Sequence, residues 1–242
     1  MSRTEQRIDD VVVNSTMNRG RGLIGVNSYE RELRRFDIAA FLRRRAESTA
    51  PGRRICWLDA CCGAGRALTE AADAWESTDW GRRITLLGID LYDGMPPDRN
   101  PEAGLRARFI AGDVLTHLPQ EPLDLVTCIH GLHYLPDKLA FLEQAYTRLA
   151  PDGGLLLAHL DPANVKLQGA ADSPLWPRLL RQARRQGVSL EFRAHLIRIE
   201  RTPNSPAAFS FGANYVTRTV APHPNYSGMI GVDSWYTLNE TR

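Results

Sequence analysis

The feature that most constrains this chain is a rhythm: short apolar runs, each closed by a polar or glycine turn, with helical stretches between them. Ile55 to Leu58 ends at Asp59, Ile84 to Ile89 at Asp90, Arg108 to Ala111 at Gly112-Asp113, and Leu123 to Ile129 at His130-Gly131. A fifth run, Leu155 to Leu160, follows the turn Pro151-Asp152-Gly153-Gly154. Continuous apolar runs of this length read as parallel strands buried on both faces. With helices expected from Arg66 to about Trp75 and from Asp137 to Leu149, the implied fold is α/β, a doubly wound sheet.

The flanks read differently. Residues 1 to 28 carry Gly20, Gly22 and Gly25 among polar residues and suggest an irregular arm. From Tyr29 to Ala46, Leu33, Phe36, Ala40 and Phe41 recur at helical spacing, which predicts an amphipathic cap helix. After a helix over Leu175 to Gln186, the β-rich stretches Glu191 to Arg201 and Ala208 to Val220 flank Thr202-Pro203-Asn204-Ser205-Pro206 and suggest a hairpin with a longer loop. The tail from Pro222 retains Tyr226, Trp235 and Tyr236 and is expected to pack on the domain. The expected organisation is an arm and cap over 1–50, a ligand-binding domain over 51–221 and a tail over 222–242.

At 242 residues, one α/β domain with elaborated ends is expected. A net charge of +2, with Arg runs such as Arg43-Arg44-Arg45 set among acids, argues against a nucleic-acid partner. Cys56, Cys61, Cys62 and Cys128 sit inside apolar segments and read as buried thiols of a reducing compartment. Adjacent Cys61-Cys62 lacks the spacer of a zinc site, and a His130/His133 pair shows no third ligand, so no metal is expected. No stretch suits a signal peptide or membrane span, so a cytoplasmic protein with a small-molecule substrate is expected, its oligomeric state open.

In an open parallel sheet, ligands bind beyond the carboxyl ends of the strands. Asp59 ends the first run, and the loop Ala60-Cys61-Cys62-Gly63-Ala64-Gly65 lets a ligand approach the backbone. Asp90 is placed to accept two ribose hydroxyls and Asp113 to accept from an adenine amino group. Three acids in one crevice repel a pyrophosphate and suit a ligand bearing a sulfonium and an ammonium. The dinucleotide fingerprint also wants a third Gly where Leu68 stands. S-adenosylmethionine (SAM) fits better than NAD.

The run Leu58 to Gly65 resembles the first motif of class I SAM-dependent methyltransferases. Gly88-Ile89-Asp90 resembles their ribose-binding motif and Gly112-Asp113-Val114 their adenine-binding one, while Asp124 to Cys128 and Leu149 to Gly154 resemble the fourth strand and the turn before the fifth. The resemblance spans roughly Arg53 to Asp161. It implies a seven-stranded Rossmann-like sheet, mostly parallel with a C-terminal antiparallel hairpin, behind an N-terminal helical cap. It also implies cofactor contacts from Asp59, Ala60, Cys61, Gly63, Gly65, Asp90, Leu91, Gly112, Asp113, Val114 and His130, with Arg21 a candidate for the SAM carboxylate. Cys61 stands where the family usually has Gly, so negative φ is expected there, with its side chain near the ligand's methionine part.

Methyl transfer is an in-line displacement at a carbon already activated by the sulfonium, so the protein contributes alignment, desolvation and sometimes a base. Candidate catalytic residues are His133 and Tyr134 after the fourth strand, and Asn27 and Tyr29 on the arm. Tyr29, Tyr134, Tyr226, Trp235 and Tyr236 could form an aromatic lid over the sulfonium. The first reading is a small-molecule methyltransferase of specialised metabolism. The Gly-Val-Asn-Ser-Tyr-Glu-Arg-Glu-Leu stretch and the HGLHYL turn are also similar to methyltransferase-like SAM cyclases that make azetidine-2-carboxylate, in which the ligand's own amine displaces methylthioadenosine. A SAM-binding protein without catalysis is the third reading.

Overall fold

Strands β1 (Ile55–Ala60), β2 (Ile84–Asp90), β3 (Arg106–Ala111) and β4 (Leu125–Cys128) form on the apolar runs. The structure is a computed structural model that describes residues 20–34, 36–102, 104–170, 173–226, 228 and 230–239. Burial explains the unbroken hydrophobicity: all of β4, and all of β1 but Cys56, are shut from solvent, whereas edge strand β3 is mostly open. The chain folds as two compact units, Met1–Ile129 and His130–Arg242. Residues 1–19 of the expected arm and 240–242 of the expected tail lie outside the described residues.

In the first unit β1 pairs in parallel with β2 on one side, Asp59 beside Gly88, and with β4 on the other, Asp59 beside Thr127. β2 pairs with β3 and brings Asp90 beside Ala111. The strand order β3-β2-β1-β4 reverses direction at β1, and the carboxyl end of that strand is the topological switch point. Among the described residues, four α-helices belong to this unit: α1 (Tyr29–Glu32), α2 (Ile38–Ser48), α3 (Arg66–Trp75) and α4 (Val114–His117). α3 buries Ala67, Leu68, Ala71, Ala72 and Trp75, spaced on one helical face.

The expected single helix from Tyr29 to Ala46 is two. Arg34 takes a left-handed φ of 52°, and Asp37 restarts the chain as an N-cap, its side chain accepting from Ala40 N at 2.8 Å. The cap helix α2 is clamped by Asp124, which is fully buried just before β4. Asp124 receives Arg45 at 2.8 Å, Arg53 at 2.7 Å and the Cys56 backbone N–H at 3.0 Å.

The second unit holds α5 (Lys138–Arg148), β5 (Gly154–His159), β6 (Val165–Leu167), α6 (Trp176–Arg185), β7 (Ser189–Arg193), β8 (Leu196–Arg201), β9 (Ala213–Pro224) and β10 (Ile230–Leu238). The hairpin differs from expectation. The stretch from Glu191 to Arg201 folds back on itself, β7 against β8, through a turn at Ala194 and His195 whose φ values are 48° and 67°. Two positive φ values in a two-residue loop are what the right-handed twist of a tight hairpin requires. No Gly or Asn marks that turn, so the sequence hides it.

In the expected tail, residues 230–238 form strand β10 between β6 and β9. Register shifts near Ile230 and Trp235 break the alternation that would have revealed it. Buried Lys138 anchors β10 by donating to Val232 O at 2.6 Å and Ser234 Oγ at 2.8 Å. The strand orders are β3-β2-β1-β4-β5-β8-β7 in the seven-stranded sheet and β6-β10-β9 in a second, three-stranded one. The mostly parallel Rossmann-like sheet with its antiparallel hairpin is therefore present.

Candidate functional site

Asp59 closes β1 at the switch point and is completely buried. Tyr29 on α1 donates to its two oxygens at 2.9 and 2.7 Å, and Thr127 of β4 donates at 2.7 Å while accepting from Trp57 Nε1 at 2.8 Å. The donors are neutral. Burial pushes the Asp59 carboxyl up to about 7; the Thr127 and Tyr29 hydrogen bonds oppose that rise and nearby Asp90 adds to it. Burial, then the charge of Asp59, pushes the Tyr29 phenol well above its ordinary value. The edge of the Tyr29 ring meets Trp57 at 6.3 Å.

The loop after β1 turns on three left-handed residues, Cys61 (φ 59°), Gly63 (φ 60°) and Gly65 (φ 66°). Negative φ was expected at Cys61, and the structure corrects this. The backbone N–H groups of Cys61 and Cys62 both reach Ile89 O, at 2.7 and 3.2 Å, and that convergence forces the turn whatever the side chain. A hydrogen bond with Cys128, then burial, pushes the Cys61 thiol well above the ordinary thiol range. At Gly65 a Cβ would come within 2.5 Å of the Phe109 ring, so only glycine fits.

Asp90 ends β2. Its Oδ2 accepts from Gly63 N at 2.8 Å and its Oδ1 from Tyr92 N at 2.9 Å, which ties the glycine loop to the end of β2. Asp113 caps α4, accepting from Leu115 N at 2.9 Å through Oδ1. Each carboxylate keeps lone pairs beyond these bonds, and among the described residues neither is in an ion pair. Arg21, by contrast, is paired with Glu32. Asn27 is exposed on the 22–28 loop, Leu91 is about half exposed, and Val114 is buried in α4.

In the second unit, histidines gather at the strand ends. His130 follows β4 on left-handed backbone (φ 62°), His133 is fully buried in the next turn, His159 ends β5 and His195 precedes β8. Ring centroids are 4.6 Å apart for His130 and His159 and 5.8 Å for His130 and His133. Tyr226 stacks on His195 at 3.9 Å and meets His133 at 5.1 Å. Burial, then the neighbouring His130, Lys138, His159 and His195, holds the His133 imidazole well below its ordinary pKa. Tyr134 is half-buried one residue beyond His133.

A model for the family described as "Methyltransferase domain" matches residues 29–202. The chain belongs to that methyltransferase domain family. No curated protein matches it in sequence. Similar solved structures include StiE O-MT, 14% identical with a TM-score of 0.43 over 69% of this chain and 75% of that one. They also include the DszA carbon methyltransferase, at 17%, 0.43, 70% and 53%. A third is Haemonchus contortus phosphoethanolamine N-methyltransferase 2, in complex with phosphomonomethylethanolamine and S-adenosylhomocysteine, at 19%, 0.39, 65% and 34%. The chain therefore spans about half of the second structure and a third of the last.

Within the methyltransferase domain, the first unit brings together Tyr29, Asp59, the Ala60 to Gly65 loop and Asp90, all anticipated from the sequence. Trp57 and Thr127 were not anticipated, because their role depends on register: Thr127 lies beside Asp59 across the β1–β4 pairing. His159 ends its strand as His130 nearly does, and the same strand-end reasoning could have found it. His195 carried no such signal. Of the aromatic residues expected in a lid, Tyr236 is fully buried, and Trp235 has the Lys166 ammonium 5.4 Å from its ring centroid. A groove of about 460 Å³ beside α6, lined by Arg178, Arg181 and Arg185, includes none of the strand-end residues. Among the described residues no helix is long and apolar enough to cross a membrane.

Proposed function

We propose that this chain is a SAM-dependent methyltransferase that binds SAM through the first unit's glycine loop, Asp90 and Asp113 and methylates a small molecule of specialised metabolism. One observation carries the reading: Asp90 is hydrogen-bonded to Gly63 in the glycine loop and still has acceptor capacity for ribose hydroxyls. Uncompensated carboxylates on Asp90 and Asp113 favour a cationic ligand, so the donor set fits SAM. Leu91, Gly112 and Val114 flank the acids and would line the nucleoside. Ala60, Cys61, Gly63 and Gly65 would offer backbone to the methionine part, and His130 would add a side-chain contact.

SAM supplies a methyl carbon activated by its sulfonium, and the chain's task is to align it with the acceptor and exclude water. His133, held neutral, is the candidate base, with Tyr134, Tyr29 and Asn27 as further catalytic candidates. Arg21 would have to leave Glu32 to meet the SAM carboxylate. A net charge of only +2 supports a small acceptor over a nucleic acid.

The test is calorimetric titration with SAM followed by product identification. Asp90→Asn and Asp113→Asn should each weaken SAM at least about tenfold, the scale of one charge-assisted hydrogen bond. Unchanged affinity in both variants would overturn the site. Incubation with SAM alone then separates the uses of the ligand. Methylthioadenosine without acceptor would replace methyl transfer with intramolecular cyclisation through the SAM amine, and tight binding with no turnover on any acceptor would leave a binding protein.

A further inference from the structure

Arg43, Arg66, Arg99 and Arg198 each meet an acid, at 2.8, 2.8, 2.6 and 3.1 Å, and Arg184 of α6 donates to the Leu190 carbonyl at 3.1 Å. Arg178, Arg181 and Arg185 of the same helix differ. All three are exposed, and among the described residues none of their guanidinium groups is in an ion pair or a side-chain hydrogen bond. Spacings of three and four residues put them on one helical face, with Arg178 and Arg185 about 10 Å apart along the axis. Like charges at these spacings repel, so the face carries an electrostatic cost that an anion would relieve.

The same three arginines border a concave surface, the groove of about 460 Å³ beside α6. Gln182 and Asn239 bring amides to it, Leu179 and Leu238 bring apolar surface, and no acid is among its lining residues. The facing wall is tied in place. Gln186 makes a two-point contact with residue 210, donating from Nε2 to Ser210 O at 2.6 Å and accepting at Oε1 from Ser210 N at 3.1 Å. Asn239 N donates to Gly212 O at 2.8 Å and fastens the chain after β10 to the same segment. Glu143 of α5 accepts from Ser210 Oγ at 3.0 Å and from Phe211 N at 2.6 Å, so that carboxylate serves the wall and leaves the arginines without a counter-ion among the described residues.

We propose that this groove binds a small molecule carrying two or more phosphate groups. A guanidinium matches a phosphate with two parallel N–H donors, and three of them along about 10 Å suit an extended polyanion better than a single one. The volume falls in the range of small-molecule sites, about 300–1,000 Å³. A net charge of only +2 offers no wider positive field for a nucleic acid to follow. The amides and the apolar surface are left for the organic part of the ligand. The site lies wholly in the second unit, uses neither the strand-end acids nor the histidines, and does not rest on SAM binding.

The experiment is calorimetric titration of the full-length chain with inorganic diphosphate at low and at physiological salt, with and without SAM. One equivalent should bind, more weakly as salt rises, and SAM should leave the affinity unchanged. Arg178→Gln and Arg181→Gln, both surface changes, should each weaken diphosphate at least about tenfold, the scale of one charge-assisted contact, whereas exposed Arg44→Gln on α2 should not. Absence of binding at low salt, an equal loss in Arg44→Gln, or equal affinity for inorganic phosphate would overturn the proposal. Displacement of diphosphate by SAM would move the anion to the first unit and overturn it as well, and tighter binding of an oligoglutamate peptide would replace it with a protein-docking face.

Discussion

Asp59 and Asp124 are both acids with no solvent exposure, and both lie in the first unit beside β1. They could hardly be treated more differently. Asp124 is met by two guanidinium groups and a backbone N–H, so its charge is matched where it stands. Asp59 is met by two hydroxyls and faces a second acid, and its carboxyl is pushed up to about 7. The first acid ties the cap helix to the sheet. The second is a titratable group buried at the carboxyl end of its strand. A buried charge with cations holds structure, and one with only neutral donors is ready for a cationic visitor.

The comparison breaks most visibly at Asp124. Asp124→Ala strands Arg45 and Arg53 and should cost about 3–5 kcal/mol, read as a fall in the urea midpoint with SAM absent. Loss of less than about 1 kcal/mol would show that the clamp is not structural.

Asp59→Asn should act in the opposite sense. Between about pH 4 and 7 the native Asp59 binds more protons than the unfolded chain, because its folded value is raised. Wild-type stability should therefore decline as pH rises through that window, by something on the order of 4 kcal/mol. Asn cannot ionise, so the variant's advantage should be small at pH 4.5 and grow to its full size by pH 8. Parallel pH profiles for the two proteins would contradict the buried, uncompensated carboxylate.

Tyr29→Phe is expected to cost about 1–2 kcal/mol through the lost buried hydrogen bond. Because that bond favours the ionised acid, its loss should also raise the Asp59 value further, a shift that carboxyl NMR would detect. The smallest effect belongs to Cys61→Gly. Relief of the left-handed strain is offset by the lost contact with Cys128, so stability should stay within about 1 kcal/mol of wild type. A large loss would mean that the Cys61–Cys128 pair matters more than the backbone.

Particular residues show why some of this was legible in the sequence. Asp90 follows an apolar run and a glycine, and its place at a strand end can be read without coordinates because parallel strands leave that periodic mark. The left-handed turn at Cys61 was misread, since a Cβ argued against it; two N–H groups sharing the Ile89 carbonyl outweighed that cost. The β7–β8 hairpin was missed for a similar reason, its turn being made by Ala194 and His195 instead of the usual Gly or Asn.

By itself the sequence determined the α/β class, the strand-end acids and the glycine loop, because these follow from local periodicity and backbone freedom. Only the tertiary structure decided which neighbours each acid keeps. Strand register brings Thr127 to Asp59, the cap brings Tyr29, and folding gathers His130, His133, His159 and His195 from across 66 positions of sequence. Charge and hydrogen-bond energies depend on distance in space, and that is the one quantity a linear pattern does not contain.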